Sequence, residues 1–267
     1  MKVRFPKWDF ATMRAHWAPS LEFSQRYNAA STVPAHIEPY LVKVMMQAKK
    51  VLPSRHVKLH ADLDIFIKQE VQHCKQHIAF NNSLYAQGYE GMKEIEAPYK
   101  ADYDRFLQEK SLRFNLAYAE GFEAMGSTSA LVFFENLDAY LDGADKDAVD
   151  MWKWHLAEEF EHREVCYQVY HAMYGKGLFS YLYRLYGFFY AVAHIRAHTE
   201  RLTAYMLGKD RAAMTPEQAQ ASVTREKEVA STVGKASLAR LKGVLSPFYD
   251  PGKKDAPAGM QQFLEQF

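Results

Sequence analysis

Two Glu-x-x-His pairs, Glu70–His73 and Glu159–His162, are the residues of this 267-residue chain best suited to chemistry. On a helix, positions i and i+3 are neighbours on one face, so each pair offers a carboxylate and an imidazole to the same point. Each pair follows a helix-forming segment that carries its own glutamate, Glu38 before the first and Glu120 before the second. The intervals are 32 residues from Glu38 to Glu70 and 39 from Glu120 to Glu159, and both suit one helix, a loop and half of the next. Four glutamates and two histidines on four helices make the ligand set of a carboxylate-bridged dimetal site inside a helical bundle. Carboxylates can bridge and neutralise two cations about 3.5–4 Å apart, and imidazole adds a neutral nitrogen that iron accepts readily. One Glu-x-x-His is common on a solvated helix face; two copies, each with an upstream Glu, argue for a site.

Further groups share these faces. His77 lies one turn after His73 and is a candidate third ligand or a hydrogen-bond partner of one. Glu123, three residues past Glu120, could exchange with it. His155 and Glu158 lie one to two turns before His162, and could also join the metals or support their ligands. The plainer reading makes His155 a satisfied core histidine, and Glu158 and Glu161 charges on an exposed edge. Cys74 and Cys166 read as small buried hydrophobes. Gln69, Asn81, Asn136 and Asp138 are candidates for fixing the imidazole tautomers.

The elements that must position these groups read as helices throughout. Residues 1–35, with Trp8, Trp17, Pro19 and Tyr27, read as an irregular N-terminal arm. A first helix is expected from about Ile37, with Pro39 in its first turn, where a missing N–H costs nothing. It stops near Pro53. The second runs from about Leu59 to Tyr85, with Leu63, Ile67, Glu70, Cys74 and His77 as a continuous stripe. Residues 92–108 form a connecting excursion with one short helix. The third runs from about Lys110 to Leu141, with Gly126-Ser127-Thr128-Ser129 as a point of bending. The fourth covers about Ala148 to Tyr174 and the fifth about Phe179 to Leu207. The sixth, about Pro216 to Leu245, starts at the N-cap Thr215. The domain organisation expected is therefore an arm (1–35), a helical domain (36–245) with the metal-binding bundle at about 36–175 and extra helices at about 178–245, and a C-terminal tail (246–267). The fold class expected is all-α, a ferritin-like four-helix bundle with additional C-terminal helices.

Composition narrows the function classes. Hydrophobic residues make up 48%, enough for a sizeable core, and a net charge of +1 with no Lys/Arg block argues against a nucleic-acid partner. Two cysteines are too few for a disulfide framework or a structural zinc site, which suits a reducing, cytoplasmic setting. The basic N-terminus has no apolar stretch of the secretory kind. No spanning helix is expected; the nearest approach, Gly177 to Ile195, is interrupted by Arg184.

Gln69-Glu70-x-x-His73-x-x-x-His77-x-x-x-Asn81, Glu120 in a helix of small residues, and His155-x-x-Glu158-Glu159-x-Glu161-His162 together resemble the bacterial "predicted metal-dependent hydrolase" family. The resemblance spans about residues 30–200 and implies a ferritin-like fold and metal-dependent hydrolysis. Two places depart from the pattern. The Gly-Glu that precedes an aromatic in the family reads Ile37-Glu38-Pro39-Tyr40 here. The His and Thr that follow the Glu of the third helix are replaced by Gly121 and Glu123.

Four Glu and two or three His on bundle helices suggest instead a non-haem dinuclear iron oxygenase or oxidase. It would hold two Fe ions, with Mn or Zn as alternatives, and take O2 as co-substrate to oxidise a small apolar or aromatic molecule. Tyr183, Tyr186, Phe189 and Tyr190 of the fifth helix would roof its substrate pocket. An electron-donor protein and a homodimeric assembly fit such an enzyme. The alternatives are the hydrolase that the family label implies, or a bundle that binds metal without catalysis.

Overall fold

The computed structural model describes residues 1–267 and is entirely helical apart from turns and the N-terminal arm. Ten α-helices follow in order: α1 (Leu21–Val51), α2 (Val57–Leu84), α3 (Met92–Glu109), α4 (Leu112–Asn136), α5 (Asp138–Leu141), α6 (Lys146–Glu161), α7 (Val165–Tyr174), α8 (Leu178–Arg211), α9 (Pro216–Leu241) and α10 (Met260–Leu264). The all-α expectation holds, and α1, α2, α4 and α6–α7 form the helical bundle around the Glu and His residues. The long α8 lies on α4, α1 and α3, and α9 crosses the outside.

The first helix begins sixteen residues earlier than its apolar spacing suggests. Ser20 Oγ accepts from Phe23 N at 3.2 Å and caps it there. Pro34 and Pro39 are therefore interior residues, where each leaves a carbonyl four residues back without its usual donor. For Pro39 that carbonyl is Ala35 O, and the Cys74 thiol of α2 donates to it at 3.7 Å. One turn away, Asn81 Nδ2 donates to Ser31 O at 3.1 Å. At Pro39, therefore, α2 supplies a side-chain donor to the carbonyl that the proline frees.

The arm that precedes α1 is docked. Trp17 Nε1 donates to Asn28 Oδ1 at 2.8 Å, Asn28 Nδ2 to Ala15 O at 2.8 Å, and Phe10, Met13 and Trp17 are buried. Residues 92–109 make a full helix rather than a short excursion. The expected fourth helix is broken at residues 162–164 into α6 and α7, and His162 sits at the break as the C-cap of α6. The Gly126–Ser129 stretch does not interrupt α4. Thr215 caps α9 with a reciprocal capping box to Gln218. The tail is ordered against the bundle: Met260 and Leu264 are buried, and Arg163 Nε donates to Pro251 O at 2.8 Å.

Small residues set the closest approach in the molecule. A Cβ on Gly187 of α8 would lie 2.5 Å from Ala117 of α4, and one on Gly121 would lie 2.7 Å from Phe188 Cα. The small-residue composition of α4 thus serves its crossing with α8.

Two apolar cores divide the bundle along its length. On α2, Leu59, Leu63 and Phe66 belong to one core, and Phe80 and Leu84 to the other. On α4, Phe114 to Phe122 lie in the first and Ala130 to Phe133 in the second. Glu70, His73 and His77 fall at the changeover on α2, Glu123 on α4 and His162 between α6 and α7. The buried polar groups form a belt between two dry layers.

Candidate metal centre

Two groups of four ligand-type side chains meet in that belt, each with its donor atoms within 4.8 Å of one another. Glu38, His73, His155 and Glu159 form one, and Glu70, Glu123, Glu159 and His162 the other. Glu159 belongs to both. All seven residues are buried, and nine of their polar atoms lack any hydrogen-bond partner: both oxygens of Glu38, Glu70 and Glu123, together with Glu159 Oε2, His73 Nδ1 and His162 Nε2. A buried orphan acceptor costs roughly 1–3 kcal/mol, more when charged, so nine converging on one point identify a place for cations. The four carboxylates carry four negative charges, which two divalent ions balance.

Each of the three imidazoles presents one nitrogen to the centre and has the other held from behind. His73 Nδ1 lies 3.7 Å from Glu38 Oε1 and from Glu70 Oε1, while its Nε2 bonds Glu158 Oε2 at 3.0 Å. His162 Nε2 lies 3.2 Å from Glu123 Oε2 and 3.3 Å from Glu70 Oε1, while its Nδ1 donates to Gln69 Oε1 at 3.1 Å. His155 Nε2 lies 3.2 Å from Glu159 Oε1, while its Nδ1 meets His77 Nε2 at 2.5 Å. His77 in turn bonds Ser31 Oγ through Nδ1 at 2.8 Å. Such outer partners fix the tautomer and direct the inner nitrogen to a metal.

The electrostatics describe the same site without cations. Burial, then neighbouring carboxylates, drive the Glu38 and Glu70 carboxyls well above the usual range. Burial and the adjacent Glu159 carry Glu123 to about 7. Burial opposes charge on His73, but hydrogen bonds to Glu158 and Glu159 bring it up to about 9. Burial and the neighbouring His73 push His155 down to about 4. Burial opposes charge on Glu159 as well, yet its contacts with His155, His162 and His73 hold it well below the carboxylate norm. The carboxylates share imidazole protons where cations would otherwise sit.

The structure brings together Glu38, Glu70, His73, Glu159 and His162 of the expected ligand set. It places Glu120 elsewhere. Glu120 Oε1 accepts from Arg184 Nη1 at 3.1 Å, and Arg184 Nη2 donates to Val244 O at 2.6 Å. Glu120 points at α8, and Glu123, one turn further along α4, takes the place in the belt. Sequence held a signal for this: Arg184 is the one Lys/Arg/Asp/Glu residue between Gly177 and Ile195, and a buried guanidinium requires a counter-charge. His155 is a member of the cluster rather than a self-contained core histidine.

Glu158 and Glu161 do not lie on a solvated edge. Arg4 Nη1 reaches both, at 2.8 Å each, so the N-terminal arm clamps the carboxylate that holds His73. Gln69 has the expected role. Asn81 serves the α1 backbone instead, and Asn136 and Asp138 are exposed and make no hydrogen bond to an imidazole.

A pocket of about 260 Å³ abuts the centre, with His155 and Glu159 in its wall beside Tyr27, Phe122, Met125 and Trp152. None of Tyr183, Tyr186, Phe189 and Tyr190 lines it. Tyr186 and Phe189 are exposed, and Tyr183 and Tyr190 pack against the core of α4, with Tyr190 5.2 Å from Phe114. The face of α8 that reaches the pocket comes later, at Ile195 and Thr199. Gly126 of α4 borders the pocket where a Cβ would meet Glu159 Oε2 at 2.2 Å.

Residues 2–255 match the family model described as predicted metal-dependent hydrolase. The chain belongs to that family. No curated protein and no solved structure matches it. Membership in the metal-dependent hydrolase family overturns the oxidoreductase assignment, and with it the O2 co-substrate. The ligand types led to that assignment, but mixed carboxylate and imidazole donors suit several divalent metals and do not fix the reaction. No helix of the chain is long and apolar enough to cross a membrane.

Proposed function

We propose that this chain is a hydrolase of a small-molecule substrate and works with two divalent cations. Glu38, His73 and His155 would hold one and Glu70, Glu123 and His162 the other, with Glu159 common to both groups. The observation that carries the reading is the shared Glu159 in a ring of unpartnered donors, bordered by a pocket that admits a ligand. Bound divalent ions supply an acidified water and polarisation of the scissile bond. Hydrolysis adds the water oxygen to the electrophilic atom, breaks the bond to the leaving group, and returns a proton to it.

The protein's own part is orientation and dryness. Gln69, Glu158 and His77 fix the three imidazoles from behind, so the donor set is formed before a ligand arrives. Tyr27, Phe122, Trp152 and Leu156 exclude bulk water from the pocket wall, which strengthens every charge interaction inside.

The test is metal counting followed by turnover. Elemental analysis should find two transition-metal or zinc ions per chain. Ester, amide and phosphoester substrates should be cleaved under strict anaerobiosis, with activity removed by chelation and restored by divalent metal. Metal-replete protein that cleaves none of these classes would overturn the assignment.

A further inference from the structure

The pocket at the metal centre is the inner of two connected chambers. An outer groove of about 720 Å³ runs between α8 and α9 and shares seven residues with the inner pocket: Arg26, Ala30, Met125, Ser129, Ile195, Thr199 and Ser237. His155 and Glu159 line only the inner chamber. Arg196, Glu200 and Glu226 line only the outer one. The shared residues form the neck where the two chambers adjoin, and most are apolar or small hydroxyl side chains.

Arg26 is the exception. It is half-buried in the neck and makes neither a hydrogen bond nor an ion pair. The nearby carboxylates of the rim are engaged: Glu200 accepts from Arg196 at 2.7 Å and Glu226 from Arg211 at 2.7 Å. Glu22, one turn before Arg26 on α1, is held by Arg225 of α9 at 2.9 Å. A guanidinium with no partner in the protein is free to receive an anion, and its planar fork suits a carboxylate or a phosphate.

We infer that the substrate is an amphipathic anion. Its carboxylate or phosphate is bound by Arg26 at the neck, and its apolar body lies along Ala30, Met125, Ile195 and the α8–α9 groove. The inference rests on the hydrolase reading for the fate of the ligand, but the binding site stands on the chambers and Arg26 alone. The groove selects for length and apolarity, Arg26 for negative charge, and the labile bond is carried inward to His155 and Glu159. The outer wall is formed by α9, which anchors to the core through Val229, Val233 and Ala236 and lines the groove with Ala230, Gly234 and Leu238.

The experiment is calorimetric titration of the metal-replete protein with octanoate, octyl phosphate and 1-octanol. Wild type should bind both anions more tightly than the alcohol. Arg26→Ala should weaken both anions about tenfold, the scale of one charge-assisted hydrogen-bonded contact, and leave the alcohol and the metal content unchanged. Arg26→Lys should recover part of the loss. Equal weakening of all three ligands, or anion binding that ignores Arg26 and disappears with the metals, would overturn the inference. The two readings fail separately. Anion binding through Arg26 with no hydrolysis of any ester sinks the hydrolase and keeps the site; ester hydrolysis indifferent to substrate charge does the reverse.

Discussion

Glu158 Oε2 accepts from His73 Nε2 at 3.0 Å, and the other oxygen of the same carboxylate is held by Arg4. One buried carboxylate thus connects the N-terminal arm to an imidazole of the candidate metal centre. Loss of such an outer partner lowers metal affinity by about 10–100-fold. Glu158→Gln keeps the shape but weakens the hold on His73, and Arg4→Ala leaves Glu158 without its counter-charge. Both should release metal to a chromophoric chelator more readily than wild type. The readout is the competition constant, and affinities equal to wild type would remove Glu158 from the centre.

Glu120 and Glu123 are one turn apart on α4 and separate by partner. Glu120→Gln should leave two metals per chain, because its carboxylate lies with Arg184 and outside both ligand groups. It should destabilise the fold by about 3–5 kcal/mol, since Arg184 is buried and would lose its counter-charge. Glu123→Gln should lower metal content and cost less stability in the metal-stripped protein. Elemental analysis and denaturant melts of the two variants check this, and metal loss from Glu120→Gln would reverse the assignment.

The same pair shows what could be read without coordinates. The Glu-x-x-His pairs are legible because three-residue spacing on a helix fixes a common face. Helical periodicity cannot choose between Glu120 and Glu123, which at three-residue spacing share one side of the helix. Arg184 decides, and its partner is set by the α4–α8 crossing at Gly121 and Gly187. His155 is legible as a candidate, but its role is not, because it depends on α6 bringing it opposite His77 of α2. The start of α1 at Leu21 was hidden by Pro34 and Pro39, which signal loop until a donor such as the Cys74 thiol is placed beside the freed carbonyl. The reaction class lay beyond the ligand types altogether, because the same donors serve more than one chemistry.

The metal-stripped protein should lose stability between pH 6.5 and 8. Glu123 is raised to about 7 and His73 to about 9, and Glu38, Glu70 and His162 are raised as well. Over this window the native state keeps protons that the unfolded chain has released, since unfolded Glu titrates near 4.3 and His near 6.5. Stability then falls as pH rises, because the unfolded state binds fewer protons than the native one. His155, lowered to about 4, acts in the opposite sense only below about 6.5. Lys254, lowered to about 8, begins to compensate above that pH. Divalent metal should abolish the fall, because the ions replace these protons and bind more tightly as pH rises. Thermal melts with and without chelator measure both slopes, and a metal-stripped Tm that is flat or rising from pH 6.5 to 8 would contradict the proton-sharing cluster.

Gly126 offers the narrowest probe of the bridging carboxylate. It lies mid-helix, where alanine is ordinarily favoured by about 1 kcal/mol. Here a Cβ would come within 2.2 Å of Glu159 Oε2, and the carboxylate belongs to both ligand groups. Glu159 is packed among three imidazoles and has little room to retreat, so Gly126→Ala should displace it from the centre while the helix itself gains propensity. The expected variant is folded by circular dichroism but melts, metal-stripped, somewhat below the wild-type temperature, because overpacking costs about 1–3 kcal/mol and outweighs the gain in propensity. It should hold fewer than two metals and should lose hydrolytic activity. Gly126→Ala protein with two metals and unchanged turnover would show that Glu159 can move without consequence, and the bridge would then have to be sought among Glu38, Glu70 and Glu123.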